Sequence, residues 1–176
     1  MFRKIILKVV FSMNHSADYF IKSLNMTAHP EGGYFKESFV SPSKLAPNTL
    51  HINEERLLWT SIYFLLRTGE VSNFHRLKSD EMWYFHAGES LTIYMISPYG
   101  ELIEKQLGLN IEKGETPQVL VPKDYIFGSA MNNEGFSLVG CMVAPGFDFK
   151  DFELFEREDL LEKYPNYREV IEKLTR

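Results

Sequence analysis

A single cysteine, Cys141, serves the whole 176-residue chain, so no internal disulfide can form. It sits in the apolar run SLVGCMV and reads as a small buried thiol rather than a nucleophile. Cations are short too: 19 Lys and Arg stand against 24 Asp and Glu, and they are scattered among the acids. With a net charge of −5 and no basic stripe to face phosphates, no nucleic-acid partner is expected. Long apolar runs are also missing. The N-terminal MFRKIILKVVFS has early cations and a short apolar stretch, but Lys8 interrupts it and no small-residue cleavage site follows. It falls short of the roughly 20 apolar residues that span a bilayer, so no membrane partner is expected and a cytoplasmic location is. Met13 offers a second start, and Ser16 is a plausible N-cap for the amphipathic stretch after it. Residues 1–12 are therefore expected to lie outside the core, and residues 13–176 to form one domain without repeats, linkers or low-complexity segments.

What the chain has in abundance is aromatic and β-branched residues. A hydrophobic fraction of 44% with 14% aromatics is well above that of a disordered chain and suits a β-rich interior or an aromatic-walled cavity. Apolar runs at Leu58 to Leu66, Glu81 to His86, Leu91 to Ile96, Leu102 to Leu107, Gln118 to Val121, Tyr125 to Ser129 and Ser137 to Val143 predict antiparallel strands. Turn residues separate them, among them Thr68-Gly69, Ala87-Gly88, Lys113-Gly114 and Asn132 to Gly135. Helical spacing is confined to the ends: Ala17 to Leu24, then Arg157 to Tyr164 and Tyr167 to Leu174, parted by Pro165. An all-β barrel or jelly roll with short terminal helices follows.

Between Gly69 and Gly88 the chain reads GEVSNFHRLKSDEMWYFHAG. Gly69, His75, Glu81 and Gly88 fall on the first motif of the cupin superfamily, which this segment resembles, while the second histidine position holds Leu77. The second cupin motif is matched weakly: Asp124 stands where glycine is expected, Phe127 at the fourth metal-ligand position and Met131 at that of asparagine. HPEGGYFKES, SIYFLL, PQVLVP and VAPGFDFKDFEL, in that order, are similar to the cupin branch known as family five, a domain of unknown function, over about Ala17 to Tyr164. The resemblance implies a double-stranded β-helix, commonly a homodimer, related in shape to the sugar-nucleotide epimerases of rhamnose synthesis. It implies no particular reaction.

His75 and Glu81 are the candidate catalytic pair, expected to face one cavity within hydrogen-bond or water-bridged reach, the carboxylate raising the histidine pKa. If Glu81 faces inward, so do Trp83 and Phe85, whereas Met82, Tyr84 and His86 face the other way. Trp83 and Phe85 would then wall a small-molecule pocket, and Leu77 and Phe127 would make it drier than a metal site. His75 and Glu81 alone are too few for a tightly held ion, for which Ser72 and Gln118 offer only weak help, so no cofactor is expected. His29, Glu31 and Tyr34 in the HPEGGY turn are candidate ligand contacts, the paired glycines giving that turn conformations closed to other residues. The Pro145-Gly146-Phe147 turn reads as structural. The expected function is thus a pocket for a small polar metabolite, such as a carbohydrate or sugar nucleotide, served by metal-independent acid-base chemistry of an isomerase or epimerase kind. Two alternatives stand beside it: a metal-dependent oxygenase or isomerase, and a non-catalytic ligand-binding module.

Overall fold

The structure is a computed structural model that describes residues 15–49 and 54–176. The expectations for residues 1–12 and for a start at Met13 fall outside the described residues. Helix α1 (Ala17–Ser23) begins where Ser16 accepts a hydrogen bond from the Tyr19 backbone N–H at 3.2 Å. Among the described residues thirteen strands follow in chain order: β1 (Thr27–Ala28), β2 (Tyr34–Val40), β3 (Lys44–Leu45), β4 (Arg56–Leu57), β5 (Thr60–Arg67), β6 (Val71–Arg76), β7 (Asp80–Gly88), β8 (Leu91–Ile96), β9 (Leu102–Leu107), β10 (Gln118–Val121), β11 (Ile126–Met131), β12 (Phe136–Ala144) and β13 (Glu153–Leu154). Helices α2 (Arg157–Lys163) and α3 (Arg168–Lys173) close the chain.

Eleven of these strands form two antiparallel sheets, β1-β2-β5-β12-β7-β10 and β13-β6-β11-β8-β9, that face each other as a jelly roll, while β3 and β4 pair separately. Phe64, Leu66, Trp83, Ile93, Phe127 and Val139 are central in the core between them. Each sheet also hides part of its outer face. Phe20, Ile21 and Leu24 of the first helical segment pack on Leu65 and Leu138, while Leu160, Ile171 and Leu174 cover Phe74, Ile96 and Ile126. Both ends of the chain carry helical spacing because a short helix needs one apolar stripe, and the outer sheet faces supply the partner.

Six strands lie outside the expected runs: the two-residue β1, β3, β4 and β13, and the longer β2 and β6. β2 is half-exposed along its length and its FKES stretch has no apolar alternation, and β6 mixes Ser, Asn and His that are nonetheless buried. Their pairing with β5 and β11 fixes them. Asp124, at the motif's glycine position, has a left-handed backbone with φ of 66°, and its N–H donates to the Leu77 carbonyl at 2.9 Å. Asp tolerates this left-handed region better than most residues.

Candidate functional site

A cavity of about 130 Å³ opens between the sheets. One wall comes from the six-stranded sheet, where alternation sends Phe35 and Glu37 of β2, Ile62 and Phe64 of β5, Glu81 and Trp83 of β7, and Cys141 and Val143 of β12 to the same face. His75 and Leu77 close the opposite side. Two segments outside these strands complete it: the turn carrying His29 and Glu31, and the stretch after β12 that brings Phe147, Phe149 and Phe152.

The His29 to Tyr34 turn is clamped onto β6. The Glu31 carbonyl accepts from the Asn73 backbone N–H at 2.8 Å, and Gly32, at φ 114°, lies so close to the Val71 carbonyl that a β-carbon would sit 2.1 Å from its oxygen. This clamp aims the Glu31 carboxylate inward. Its Oε1 accepts from the Ser72 hydroxyl at 2.9 Å, while Oε2 lies 3.2 Å from His75 Nε2 and 3.4 Å from His29 Nδ1.

The tautomers follow from the other bonds. His75 Nδ1 lies 2.8 Å from the Asn73 carbonyl, which can only accept, so Nδ1 carries the proton and a neutral ring leaves Nε2 as a lone pair. His29 Nδ1 accepts from the Glu31 backbone N–H at 3.3 Å and is a lone pair as well. Both nitrogens that face Glu31 Oε2 are therefore acceptors.

Burial governs the charges. It lowers His75 to about 4, against a smaller upward pull from its bond to Asn73. The carboxyl of Glu81 is pushed up to about 8, by burial first and by the charge of Glu31 second, with Cys141 and Trp83 beside it pulling the other way. Glu31 is raised and His29 lowered, burial being the largest cause for each. The Cys141 thiol is raised well above its usual range by burial and then by Glu81. It stays protonated.

Of the residues singled out in the sequence, His29, Glu31, His75, Glu81 and Trp83 line the cavity. Ser72 acts one step back through Glu31. Phe127 is buried beneath His75, their ring centroids 4.0 Å apart. Two candidates are elsewhere. Gln118 is exposed on the edge strand β10, because the residue that shares Trp83's face there is Val119. Tyr34 points to the far side of β2, where its hydroxyl accepts from Arg67 at 2.7 Å and its ring packs near Leu65. Phe85 faces inward but packs in the core rather than on the cavity. His86 sits at a bulge, where the pairing with β12 slips between Leu138 and Val139, and it lies exposed over Gly140. His75 and Glu81 line the same cavity, but the carboxylate in direct contact with His75 is that of Glu31, and the expected raised histidine pKa is corrected, since burial lowers it.

Sequence reasoning missed Phe147, Phe149 and Phe152. Pro145 to Phe147 is more than a turn, since Phe147 N–H donates to Thr60 Oγ1 at 2.9 Å and its ring reaches the cavity. Arg56, buried on β4, holds this stretch: it donates to Asp151 at 2.5 Å, to the Gly146 carbonyl at 3.3 Å and to Glu54 at 3.1 Å. The spacing of phenylalanines in GFDFKDF was the available signal.

A family model described as Cupin superfamily (DUF985) matches residues 18–155. The chain belongs to this cupin family. It is similar to protein SO0799 from Shewanella oneidensis, whose crystal structure superposes with a TM-score of 0.85 at 61% identity, covering 92% of this chain and 98% of that one. A hypothetical protein from Leishmania major gives a TM-score of 0.83 at 37% identity, over 92% and 99% of the two chains. The uncharacterized yeast protein YML079W of Saccharomyces cerevisiae is 28% identical over 160 residues, covering 83% of this chain and 78% of its own. Oxalate decarboxylase of Bacillus subtilis shares the fold, with a TM-score of 0.51 at 16% identity.

Cupins commonly carry a metal, which needs three or four protein ligands. Leu77 and Phe127 stand at two motif ligand positions, and the first of these lines the cavity as an apolar wall. Among the described residues, no three His, Cys, Asp or Glu side chains are arranged to hold an ion. The residues as placed do not fit a resident metal. Also among the described residues, no helix is long and apolar enough to cross a membrane.

Proposed function

We propose that this cupin carries out metal-independent acid-base chemistry on a small organic molecule held in the cavity, with Glu81 and the His75–Glu31 pair exchanging protons with it. One observation carries the reading. Burial pushes the Glu81 carboxyl up to about 8 and the His75 imidazole down to about 4, so an undissociated acid and an unprotonated base share one cavity near neutral pH. Environments that drive two titratable groups apart in this way suit proton transfer of the isomerase or epimerase kind. A sugar nucleotide is a poor match for about 130 Å³ of mainly apolar wall; a compact metabolite is a better one. The lone reduced thiol, Cys141, accords with a cytoplasmic setting.

Deuterium wash-in tests the reading. The protein is incubated in heavy water with a panel of small metabolites, and mass spectrometry seeks enzyme-dependent incorporation into carbon, abolished in Glu81→Gln and in His75→Gln. A compound that binds tightly yet returns unlabelled would overturn catalysis in favour of a ligand-binding module.

We further propose that the chain pairs with a second copy through the outer face of the six-stranded sheet. Phe39, Met142, Met82 and Leu120 lie in one cross-strand row there, linked through Ser61, and among the described residues no helix covers them. Phe39 is 66% and Leu120 47% exposed. Light scattering is expected to give a dimer mass that Met82→Lys with Leu120→Lys converts to a monomer; a monomer for the unaltered chain would refute the proposal.

A further inference from the structure

We propose that the occupant of the cavity is a small organic ammonium ion, its N–H groups directed at Glu31 and the two imidazoles and its alkyl part among the aromatic rings. This rests on the acid-base reading for the place of binding and adds the class of molecule.

The charges of the wall are one-sided. Among the described residues, Glu31, Glu37 and Glu81 line the cavity and no Lys or Arg does. The cations nearest the Phe147 to Phe152 stretch are already engaged, Arg56 with Asp151 and Lys150 with Glu54. An anion entering here would meet carboxyls and no free counter-charge.

The ring nitrogens that face Glu31 are not donors. His75 Nε2 and His29 Nδ1 are lone-pair atoms in their neutral tautomers, and each faces Glu31 Oε2, at 3.2 and 3.4 Å. Acceptors brought this close repel one another unless a proton or a donor lies among them. An alkylammonium supplies several N–H donors and a positive charge at once, making charge-assisted bonds to the carboxylate. A carbonyl or carboxylate would add another acceptor to the cluster.

The remaining wall suits the same guest. Phe35 and Phe152 stand around His29 with ring centroids at 4.6 and 6.1 Å, and Phe147 lies 6.4 Å from Phe152. Aromatic faces attract organic cations, most strongly when water is excluded. Size is compatible as well: an apolar cavity of about 150 Å³ accommodates benzene, and the one here is about 130 Å³.

Binding should release a proton. The groups facing Glu81 are Glu31 from the turn, Cys141 from β12 and Trp83 from its own strand, while its cross-strand neighbours Val121 and Val143 are apolar. None is a cation. A bound ammonium would supply the missing positive charge and shift Glu81 toward carboxylate.

Three probes of nearly equal shape separate the possibilities by calorimetric titration of the full chain: tert-butylammonium, tetramethylammonium and tert-butanol. The ammonium with N–H donors is expected to bind at least about tenfold more tightly than the alcohol, with tetramethylammonium between them. Proton release near neutral pH, read from the dependence of the heat on buffer, is expected with tert-butylammonium and is expected to shrink in Glu81→Gln. Phe149→Ala, at a ring 60% exposed on the rim, keeps the test open if Glu81→Gln does not fold; it should weaken the cations more than the alcohol. Equal or tighter binding of tert-butanol, or no binding of any probe, would overturn the proposal. None of the probes has an acidic C–H, so the outcome is separate from proton transfer: ammonium preference without deuterium wash-in would leave this proposal standing and remove the acid-base reading, and the converse result would do the opposite.

Discussion

Glu31 Oε2 lies 3.2 Å from His75 Nε2, so the carboxylate that meets the motif histidine comes from a turn 44 positions earlier rather than from Glu81. The long-range contact depends on the clamp of that turn against β6, through Asn73 and Ser72. Its position leaves Glu81 without a cation beside it.

The pH dependence of stability follows from these two groups. Glu81 is raised in the folded state to about 8, so its contribution is fully present below its unfolded value, near 4.5, and is lost as pH rises through 8. His75 is lowered from 6.5 to about 4, so its contribution is present above 6.5 and lost as pH falls toward 4. The two oppose each other between 4.5 and 6.5; from 6.5 to 8 Glu81 acts without His75. Stability is expected to fall across that upper window, by no more than about 1.4 kcal/mol per pH unit for one proton, seen as a falling melting temperature that Glu81→Gln is expected to flatten. A profile unchanged by the substitution would assign the slope to other groups.

Arg56 ties the aromatic stretch after β12 to the rest of the molecule through Asp151 and the Gly146 carbonyl. Without Arg56, the Asp151 carboxylate keeps only the exposed Lys78, 3.6 Å away, as a counter-charge among the described residues. Arg56→Ala should therefore destabilise the fold by about 3 kcal/mol, measured by urea unfolding. Ligand affinity should weaken too, because Phe147 and Phe152 lose their support.

Two backbone positions are expected to behave differently. Gly32→Ala places a β-carbon 2.1 Å from the Val71 carbonyl oxygen at φ 114°, and a loss of about 3 kcal/mol or more is expected because backbone must move. Asp124→Gly relieves a left-handed residue and is expected to be within about 0.5 kcal/mol of neutral, while Asp124→Val should cost about 1–2 kcal/mol. Chemical denaturation of the three variants ranks them directly.

Added Mn, Fe, Ni or Zn is expected to leave the melting temperature unchanged. Linkage makes this a sensitive test, since an ion held only by the folded state stabilises it. A clear rise that disappears in His75→Ala would show that the cluster at Glu31 can serve as a metal site.

Local patterns in the sequence were enough for the architecture. Apolar alternation between turn residues located β8, β9 and β10 to the residue, and the terminal helices differ from expectation only at their ends. Strand period placed Glu81 and Trp83 on one face with Met82 and Tyr84 on the other, which the cavity and the outer face reproduce. The motif spacing likewise brought His75 and Glu81 to the same cavity. Beyond this, chain-distant packing decided the site. Gln118 and Tyr34 fell away from it because strand register and turn direction, not composition, determine which face a residue takes. Glu31 joined His75, and Phe147, Phe149 and Phe152 joined the wall, through contacts spanning most of the chain. The charge states are also tertiary: burial around Glu81 and His75 reverses the effect that a neighbouring carboxylate alone would have on a histidine. Sequence periodicity reports which way a side chain points, whereas desolvation and convergence depend on what the fold places opposite it.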